Sequence, residues 1–196
     1  MIEVAPLRDP SDPSGREWLL VIDMQRVFAD PASPWAVGQF DEVLAPIETL
    51  IAAYAGRVIA TRYISPQPLV GAWEGYFEKF ASLLLPSDDK AWDLMLAEHL
   101  SYRTETRATF GKWDSGMAAV LGSDAPIAVC GVATECCVFA TVLAAIDNGR
   151  SVRVVADACA GSSPLFHDHA LSLLSTFAPL VQITRSDEIL RFLQSA

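Results

Sequence analysis

The sequence has few basic residues and no long apolar run, and both absences exclude classes of protein. Its 196 residues include 14 lysines and arginines against 24 aspartates and glutamates, which gives a formal net charge of −10. Proteins that bind nucleic acid or anionic lipid need a basic surface, so neither partner is predicted. No apolar run approaches membrane-spanning length, and the first residues lack the basic and then apolar pattern of a signal peptide.

Cysteine is scarce as well, and its placement excludes two further classes. The four cysteines, at positions 130, 136, 137 and 159, have neither the spacing of a zinc site nor that of a disulfide framework. The sequence has no C-x-x-C motif, so thiol redox chemistry is not expected. We predict free thiols and a reducing, cytoplasmic location.

The composition that remains is that of a well-folded globular chain. Hydrophobic residues make up 52% of the sequence and charged residues 19%. A chain of this length fits one domain with a core of its own. Residues 1–16 carry three prolines and mixed charge. We therefore predict a single domain over residues 1–196, with 1–16 as a loose N-terminal arm.

Apolar runs typical of strands alternate along the chain with segments of helical spacing. The predicted strands cover residues 17–22, 57–63, 126–130, 151–157 and 180–184. The predicted helices cover residues 40–54, 116–121, 135–146, 164–177 and 187–194. This alternation predicts an α/β fold with a parallel sheet covered on both faces. Residues 64–109 are the least regular, and we interpret them as a lid or pocket wall, with variable packing as the alternative.

Two adjacent cysteines lie where a predicted buried strand turns into a helix. Cys136 and Cys137 fall in the first turn of that helix, where backbone N–H groups and the helix dipole favour the thiolate. Their side chains point about 100° apart, so only one of them is expected to face a cleft. Spacing alone does not choose between them, and both could instead be small buried apolar residues.

Three polar residues are the other candidates for the chemistry. Asp23 and Arg62 lie at the ends of the first two predicted strands, and ligands bind at the carboxyl edge of such sheets. Asp23 could alternatively cap a helix or a turn. Lys112 lies in a glycine-containing loop between two aromatic residues, and a solvated surface lysine is the alternative there.

Five short motifs follow one another in a specific order and spacing between Leu19 and Ala160, within a resemblance that extends to about Gln194. They are Leu-Leu-Val-Ile-Asp-Met-Gln at 19–25 with Phe28, Thr61-Arg62, Phe110-Gly-Lys112, Gly131-Val-Ala-Thr-Glu-Cys-Cys-Val138 and Asp157-Ala-Cys-Ala160. Each motif is weak by itself. Together they resemble the isochorismatase-like cysteine hydrolases, a family that includes nicotinamidases and N-carbamoylsarcosine amidohydrolase.

The resemblance implies a three-layer (αβα) Rossmann-like fold with a mainly parallel six-stranded sheet. It implies a catalytic triad of Asp23, Lys112 and Cys137, because the family's nucleophile is the cysteine just before the valine. A cis peptide bond between Val132 and Ala133 is also expected from the family. The N–H groups of Ala133 and Cys137 are then expected to form an oxyanion hole.

The sequence departs from the metal-dependent members of the family. Nicotinamidases have an Asp-x-His pattern after the second strand, where this chain has Tyr63-Ile-Ser65. His167 and His169 lie two apart on a predicted helix and point to different faces, and His99 shows no sign of a partner. We therefore predict no metal and no cofactor, and we do not expect nicotinamide to be the substrate.

The resemblance implies a cysteine-dependent hydrolase that acts on a small amide, carbamoyl or ureido substrate through a thioester. Two alternatives stay open: an isochorismatase-type vinyl-ether hydrolase, and a family member that only binds a small molecule. Phe28, Trp73 and Trp113 are predicted to line the substrate pocket. Arg62 is predicted either to bind a substrate carboxylate or to pair with a surface acid. A homodimer or homotetramer is expected from the family.

Overall fold

Six parallel strands form one sheet in the computed structural model, which describes residues 17–54, 56–122 and 125–195. The strands are β1 Trp18–Ile22, β2 Val58–Tyr63, β3 Arg103–Arg107, β4 Ile127–Val132, β5 Val152–Ala160 and β6 Val181–Thr184. Their order across the sheet is β3-β2-β1-β4-β5-β6, and each neighbouring pair is parallel. The chain therefore builds outward to one side from β1 and to the other side from β4, which makes the gap between β1 and β4 the topological switch point.

Helices flank this sheet, which confirms the predicted three-layer α/β fold. The helices are α1 Arg26–Ala29, α2 Phe40–Tyr54, α3 Ala72–Lys79, α4 Ser115–Leu121, α5 Phe139–Asp147, α6 Pro164–Ser175 and α7 Ser186–Ser195. Among the described residues, none of the helices is long and apolar enough to cross a membrane. The predicted loose arm at 1–16 lies outside the described residues.

The central strands form because they are apolar along their whole length. All six residues of β4 are buried, as are four of the five in β1. Strands buried on both faces read as continuous apolar runs, which is why these two could be predicted from sequence. The spacing of buried residues in α2 likewise places one apolar stripe against the sheet.

The structure differs from the sequence prediction in three parts of the chain: residues 64–109, the helix predicted at 135–146 and the end of β5. Residues 64–109, predicted to be irregular, contain the helix α3 and the edge strand β3, which pairs with β2. The predicted helix over 135–146 begins instead with a π-helical turn at Thr134–Val138, and α5 follows it. The strand β5 runs to Ala160, three residues beyond its predicted end at 157, and so includes Cys159.

Candidate active site

Asp23 follows β1 directly and is held in one position by β2. Its backbone has a φ of 49°, in the left-handed region that few residues other than glycine adopt. The Thr61 hydroxyl donates a hydrogen bond of 2.7 Å to Asp23 Oδ1 and accepts one of 3.2 Å from the Asp23 N–H. The Asp23 side chain is fully buried. One carboxylate oxygen is thus anchored, and Oδ2 is left for other contacts.

Lys112 provides the counter-charge for that carboxylate. Its Nζ lies 2.9 Å from Asp23 Oδ2, and both side chains are completely buried. The same ammonium donates to the Thr109 carbonyl at 2.7 Å and lies 4.8 Å from the centre of the Tyr63 ring. Among the described residues, Oδ2 accepts no hydrogen bond of good geometry. A buried base with one oxygen in reserve is suited to accept a proton from a neighbouring group.

A short hydrogen-bond relay fixes Lys112 relative to Cys137. The Lys112 N–H donates to the Thr141 hydroxyl at 2.9 Å, and that hydroxyl donates to the Cys137 carbonyl at 2.6 Å. Thr141 is fully buried in α5. The loop that carries the lysine is therefore tied to the segment that carries the cysteine.

The turn around Cys137 is π-helical rather than α-helical. The N–H groups of Cys136 and Val138 both donate to the Ala133 carbonyl, at 3.1 and 3.2 Å. This carbonyl therefore accepts hydrogen bonds from the residues on both sides of Cys137. The peptide bond between Val132 and Ala133 is cis, which confirms the expectation from the family. Wide turns of this kind are frequent at functional sites.

Cys136 and Cys137 differ in exposure and in acidity. Cys137 is only 3% exposed, whereas Cys136 is half-buried. A hydrogen bond with Cys136, followed by burial and by the Asp23 charge, raises the pKa of the Cys137 thiol well above its usual value. The same hydrogen bond lowers the pKa of Cys136. The lowered pKa that the sequence predicted for a cysteine in this turn is therefore found at Cys136 and not at Cys137. A thiol with a raised pKa rests protonated, so Cys137 would need a neighbouring base in order to act as a nucleophile.

Gly131 allows β4, the strand that leads to the two cysteines, to lie close to β1. Its φ is +113°, and a Cβ built at this position would lie 2.1 Å from the Ile22 carbonyl oxygen. Only glycine fits such an approach. Because Ile22 precedes Asp23, this contact sets how the ends of β1 and β4 meet at the switch point.

A cavity of about 150 Å³ opens at this end of the sheet and includes both cysteines. Aromatic and small apolar side chains dominate its walls, and lysine and arginine are absent from its lining among the described residues. The lining comprises Phe28, Pro34, Trp35, Ala36, Val37, Tyr63, Tyr76, Phe110, Ala133, Glu135, Cys136, Cys137 and Ser162. Asp23 and Lys112 lie behind this surface.

The four side chains predicted to bind substrate are not brought together by the fold. Phe28 lines the cavity, but Arg62, Trp73 and Trp113 do not. Arg62 donates to the Thr106 hydroxyl on β3 at 3.3 Å, because side chains alternate along a strand and Arg62 points away from the face that Tyr63 uses. Trp73 packs behind the lining, with its ring centre 5.1 Å from that of Phe110.

Trp113 is buried away from the cavity. The Arg150 guanidinium lies 4.9 Å from the centre of its ring, and the side chain is 7% exposed. This arrangement is a packing contact between the residue after Lys112 and the turn that precedes β5. Trp113 follows Lys112 directly in the sequence, but it does not line the cavity.

Nine lining residues were not named as site residues by the sequence analysis, and the larger ones are Trp35, Tyr63, Tyr76, Phe110 and Glu135. Tyr76 lies in the segment 64–109 that was interpreted as a lid or pocket wall. Tyr63 could have been found, since it ends β2 at the edge where ligands bind. Trp35 and Tyr76 come from separate segments that meet only in the fold, with ring centres 6.2 Å apart. No pattern in the sequence links them.

The family model for the isochorismatase domain matches residues 17–185. A search of curated protein sequences finds no match. Solved structures with low sequence identity share the fold. A cysteine hydrolase from Pseudomonas syringae pv. phaseolicola 1448A is 22% identical, with 99% of each chain covered and a TM-score of 0.81.

Two further structures show the same likeness of fold. The pyrazinamidase of Pyrococcus horikoshii, in complex with zinc, is 22% identical over 87% of this chain and 99% of its own, with a TM-score of 0.70. The MAR1 ribonuclease of Caenorhabditis elegans is 18% identical over 93% of this chain and 83% of its own, with a TM-score of 0.65.

Proposed function

Since the chain belongs to the isochorismatase family of hydrolases, we propose that it is a cysteine-dependent hydrolase of a small amide, carbamoyl or ureido compound. One observation carries the proposal: the buried Asp23–Lys112 pair, with 2.9 Å between Oδ2 and Nζ, is tied through Thr141 to the cysteine that lines the cavity. A base, a fixed cation and a thiol at one cavity are the groups that nucleophilic catalysis requires.

In the first half-reaction, Asp23 Oδ2 takes the proton from Cys137 Sγ as the sulfur attacks the substrate carbonyl carbon. The carbonyl oxygen becomes an oxyanion, which the N–H groups of Ala133 and Cys137 stabilise. Asp23 then returns the proton to the departing nitrogen, and the C–N bond breaks. Ammonia or an amine leaves, and the acyl group stays on Cys137 as a thioester.

In the second half-reaction, water clears the thioester. Asp23 removes a proton from the water as its oxygen attacks the acyl carbon, and a second oxyanion forms in the same hole. The C–S bond then breaks, the acid leaves, and the Cys137 sulfur recovers its proton from Asp23. Lys112 stays charged throughout and holds the carboxylate at the sulfur.

The described residues of this chain do not fit a zinc ion, although the Pyrococcus horikoshii pyrazinamidase structure is a complex with zinc. Across residues 17–54, 56–122 and 125–195, no group of three His, Cys, Asp or Glu side chains could hold a metal ion. At the end of β2 the Ser65 hydroxyl donates to the Leu83 carbonyl. The proposed mechanism therefore has no step through a metal.

The cavity's charge favours a neutral substrate over the vinyl-ether alternative. Isochorismate carries two carboxylates, and the described lining has no lysine or arginine to meet them. Glu135, the carboxylate in the lining, would repel an anion. An uncharged amide or urea meets no such penalty.

The test is release of ammonia from a panel of small amides, carbamoyl compounds and ureas, with isochorismate assayed beside them. Cys137→Ala should lower kcat by about 10⁴-fold or more, because the nucleophile is lost. Cys136→Ala is the matched control and should keep activity within a few-fold. Turnover that survives Cys137→Ala, or is lost only in Cys136→Ala, would sink the assignment.

A further inference from the structure

The Tyr63 hydroxyl is a buried polar group that has no hydrogen-bond partner among residues 17–54, 56–122 and 125–195. The side chain is fully buried, and within the described part of the chain its oxygen makes no hydrogen bond. Tyr63 also belongs to the lining of the cavity. A buried hydroxyl normally has a partner, so an orphan at a cavity wall points to a ligand that supplies the missing acceptor.

The Tyr63 backbone is held firmly by one buried side chain. Gln25 donates from Nε2 to the Tyr63 carbonyl at 2.9 Å and accepts at Oε1 from the Tyr63 N–H at 2.8 Å. Gln25 Nε2 also donates to the Trp92 carbonyl at 2.8 Å. The two hydrogen bonds from Gln25 to the Tyr63 backbone fix the position from which the Tyr63 side chain extends.

The ring itself is enclosed by aromatic neighbours. Trp35 and Trp92 meet it edge to face, with ring centres at 5.4 and 5.7 Å, and Phe110 stacks at 6.1 Å. Lys112 Nζ covers one face at 4.8 Å. With its backbone and ring both fixed, Tyr63 presents its hydroxyl in one direction and loses little entropy when a ligand binds.

The electrostatic surroundings of the Tyr63 hydroxyl include groups of the proposed site. Burial, and then the charges of Tyr76, Cys137 and Asp23, raise the pKa of Tyr63 above its usual value. The groups that act on the hydroxyl are therefore those of the site. A phenol with a raised pKa stays protonated at neutral pH, so it can donate a hydrogen bond.

We propose that Tyr63 is a specificity-determining residue whose hydroxyl donates a hydrogen bond to an uncharged acceptor on the part of the substrate that does not react. The proposal rests on the proposed function in taking this cavity as the substrate site. The reacting carbonyl has its own donors in Ala133 and Cys137. The acceptor is uncharged because the described lining contains the Glu135 carboxylate and no cation.

The test compares ligands that differ by one acceptor. Benzamide and the three pyridinecarboxamide isomers have nearly the same shape, and each isomer puts a ring nitrogen at a different position. Their dissociation constants are measured by titration calorimetry in Cys137→Ala, which prevents turnover, and in Cys137→Ala with Tyr63→Phe. In the first protein one isomer should bind about tenfold more tightly than benzamide.

Tyr63→Phe should abolish this preference and leave benzamide binding unchanged or tighter. Tyr76→Phe in the same background is the matched control, since it removes a hydroxyl from the same lining, and it should keep the preference. The proposal is overturned if all three isomers bind no better than benzamide, or if the preference survives Tyr63→Phe. Binding is measured without turnover, so the two proposals can fail separately. If only the hydrolase proposal is wrong, one isomer still binds preferentially, but the wild-type protein releases no ammonia from the amides tested.

Discussion

At the scale of single residues, the Asp23–Lys112 pair is costly to bury, and the proposed mechanism gives a reason for keeping it. Both side chains are completely buried, with 2.9 Å between their charged atoms. Removing two charges from water costs several kcal/mol for each ion, which their attraction and hydrogen bonds must offset. Here Thr61 and Thr109 provide those hydrogen bonds. The pair therefore holds a charged base in an otherwise apolar site.

Lys112→Met should destabilise the protein as well as inactivate it. The substitution keeps most of the apolar volume but leaves the Asp23 carboxylate buried without its cation. We expect the free energy of unfolding to fall by about 3–5 kcal/mol, measured by urea denaturation.

The matched control is Asp23→Asn combined with Lys112→Met. With the carboxylate neutralised, this double variant should recover most of the lost stability while remaining inactive. Equal stability in wild type and Lys112→Met, or a double variant no more stable than the single one, would contradict the account of this pair.

The single residues that the sequence singled out as catalytic candidates are those with fixed neighbours along the chain. Asp23 follows a strand that is apolar throughout, and Cys137 precedes a valine in a recognisable motif. Trp35 and Tyr76 carry no such signal. Their place in the cavity wall comes from contacts between segments distant in sequence, and their own ring centres lie 6.2 Å apart.

At the scale of secondary structure, the approach of β4 to β1 controls the geometry of the site. Ile22 pairs with Gly131 in the register of these two strands. Asp23 begins one residue after that pair, and the cis peptide Val132–Ala133 begins one residue after it on the other strand. A shift at this crossing would move the base and the nucleophile relative to each other.

Gly131→Ala should be strongly destabilising. Its new Cβ would lie 2.1 Å from the Ile22 carbonyl oxygen, at a φ of +113° that alanine rarely adopts. We expect a loss of at least about 3 kcal/mol in the free energy of unfolding, measured by chemical denaturation. Gly149→Ala isolates the clash from the backbone strain, since its φ is +77° but nothing lies within 4 Å of the added Cβ.

Gly149→Ala should cost only about 1–2 kcal/mol, the usual penalty for a left-handed alanine. If Gly131→Ala and Gly149→Ala lower the free energy of unfolding by similar amounts, then β4 does not approach β1 as closely in solution as the structure shows.

The elements that the sequence missed share a physical reason. The strand β3 has the sequence Arg-Thr-Glu-Thr-Arg and lies at the edge of the sheet. Each of its five residues is exposed or half-buried. It therefore lacks the apolar run by which buried strands are found. The π-helical turn is decided by hydrogen bonds to Ala133, and its apolar spacing over a few residues resembles that of an α-helix.

At the scale of the whole molecule, the buried core contains thiols that must stay neutral. Cys130 and Cys159 are fully or almost fully buried within β4 and β5. Burial raises the pKa of Cys159 from its ordinary 9.0 to about 12, and burial likewise raises the pKa of Cys130. Alkaline solution therefore favours the unfolded chain, in which these thiols ionise freely.

The sign of the pH dependence follows from these raised values. The contribution of the neutral Cys159 thiol to the free energy of unfolding is complete below pH 9, where the thiol is protonated in both the folded and the unfolded chain. This contribution is lost as the pH rises from 9 to about 12. Three pKa units correspond to about 4 kcal/mol as an upper value. We expect the free energy of unfolding to decline over this range. Cys159→Ala should make the decline shallower, and an unchanged slope in that variant would contradict the assignment.

The overall fold was predictable because it depends on patterns that repeat along the chain. Alternating strands and helices define the sheet and its covering layers, and these need no knowledge of distant contacts. The cavity was not predictable in the same way. Phe28, Trp35, Tyr76 and Phe110 come from four separate segments, and only the folded chain brings their rings together.

The most direct test of the account is to trap the acyl-enzyme. A substrate found in the ammonia assay is mixed with the protein, quenched in acid within the first turnover, and analysed by intact-mass and fragment-ion spectrometry. We predict an added acyl mass on Cys137, which persists in Cys136→Ala and is absent from Cys137→Ala. An acyl group on Cys136, or turnover with no acyl group on either cysteine, would contradict the assignment of Cys137 as the nucleophile.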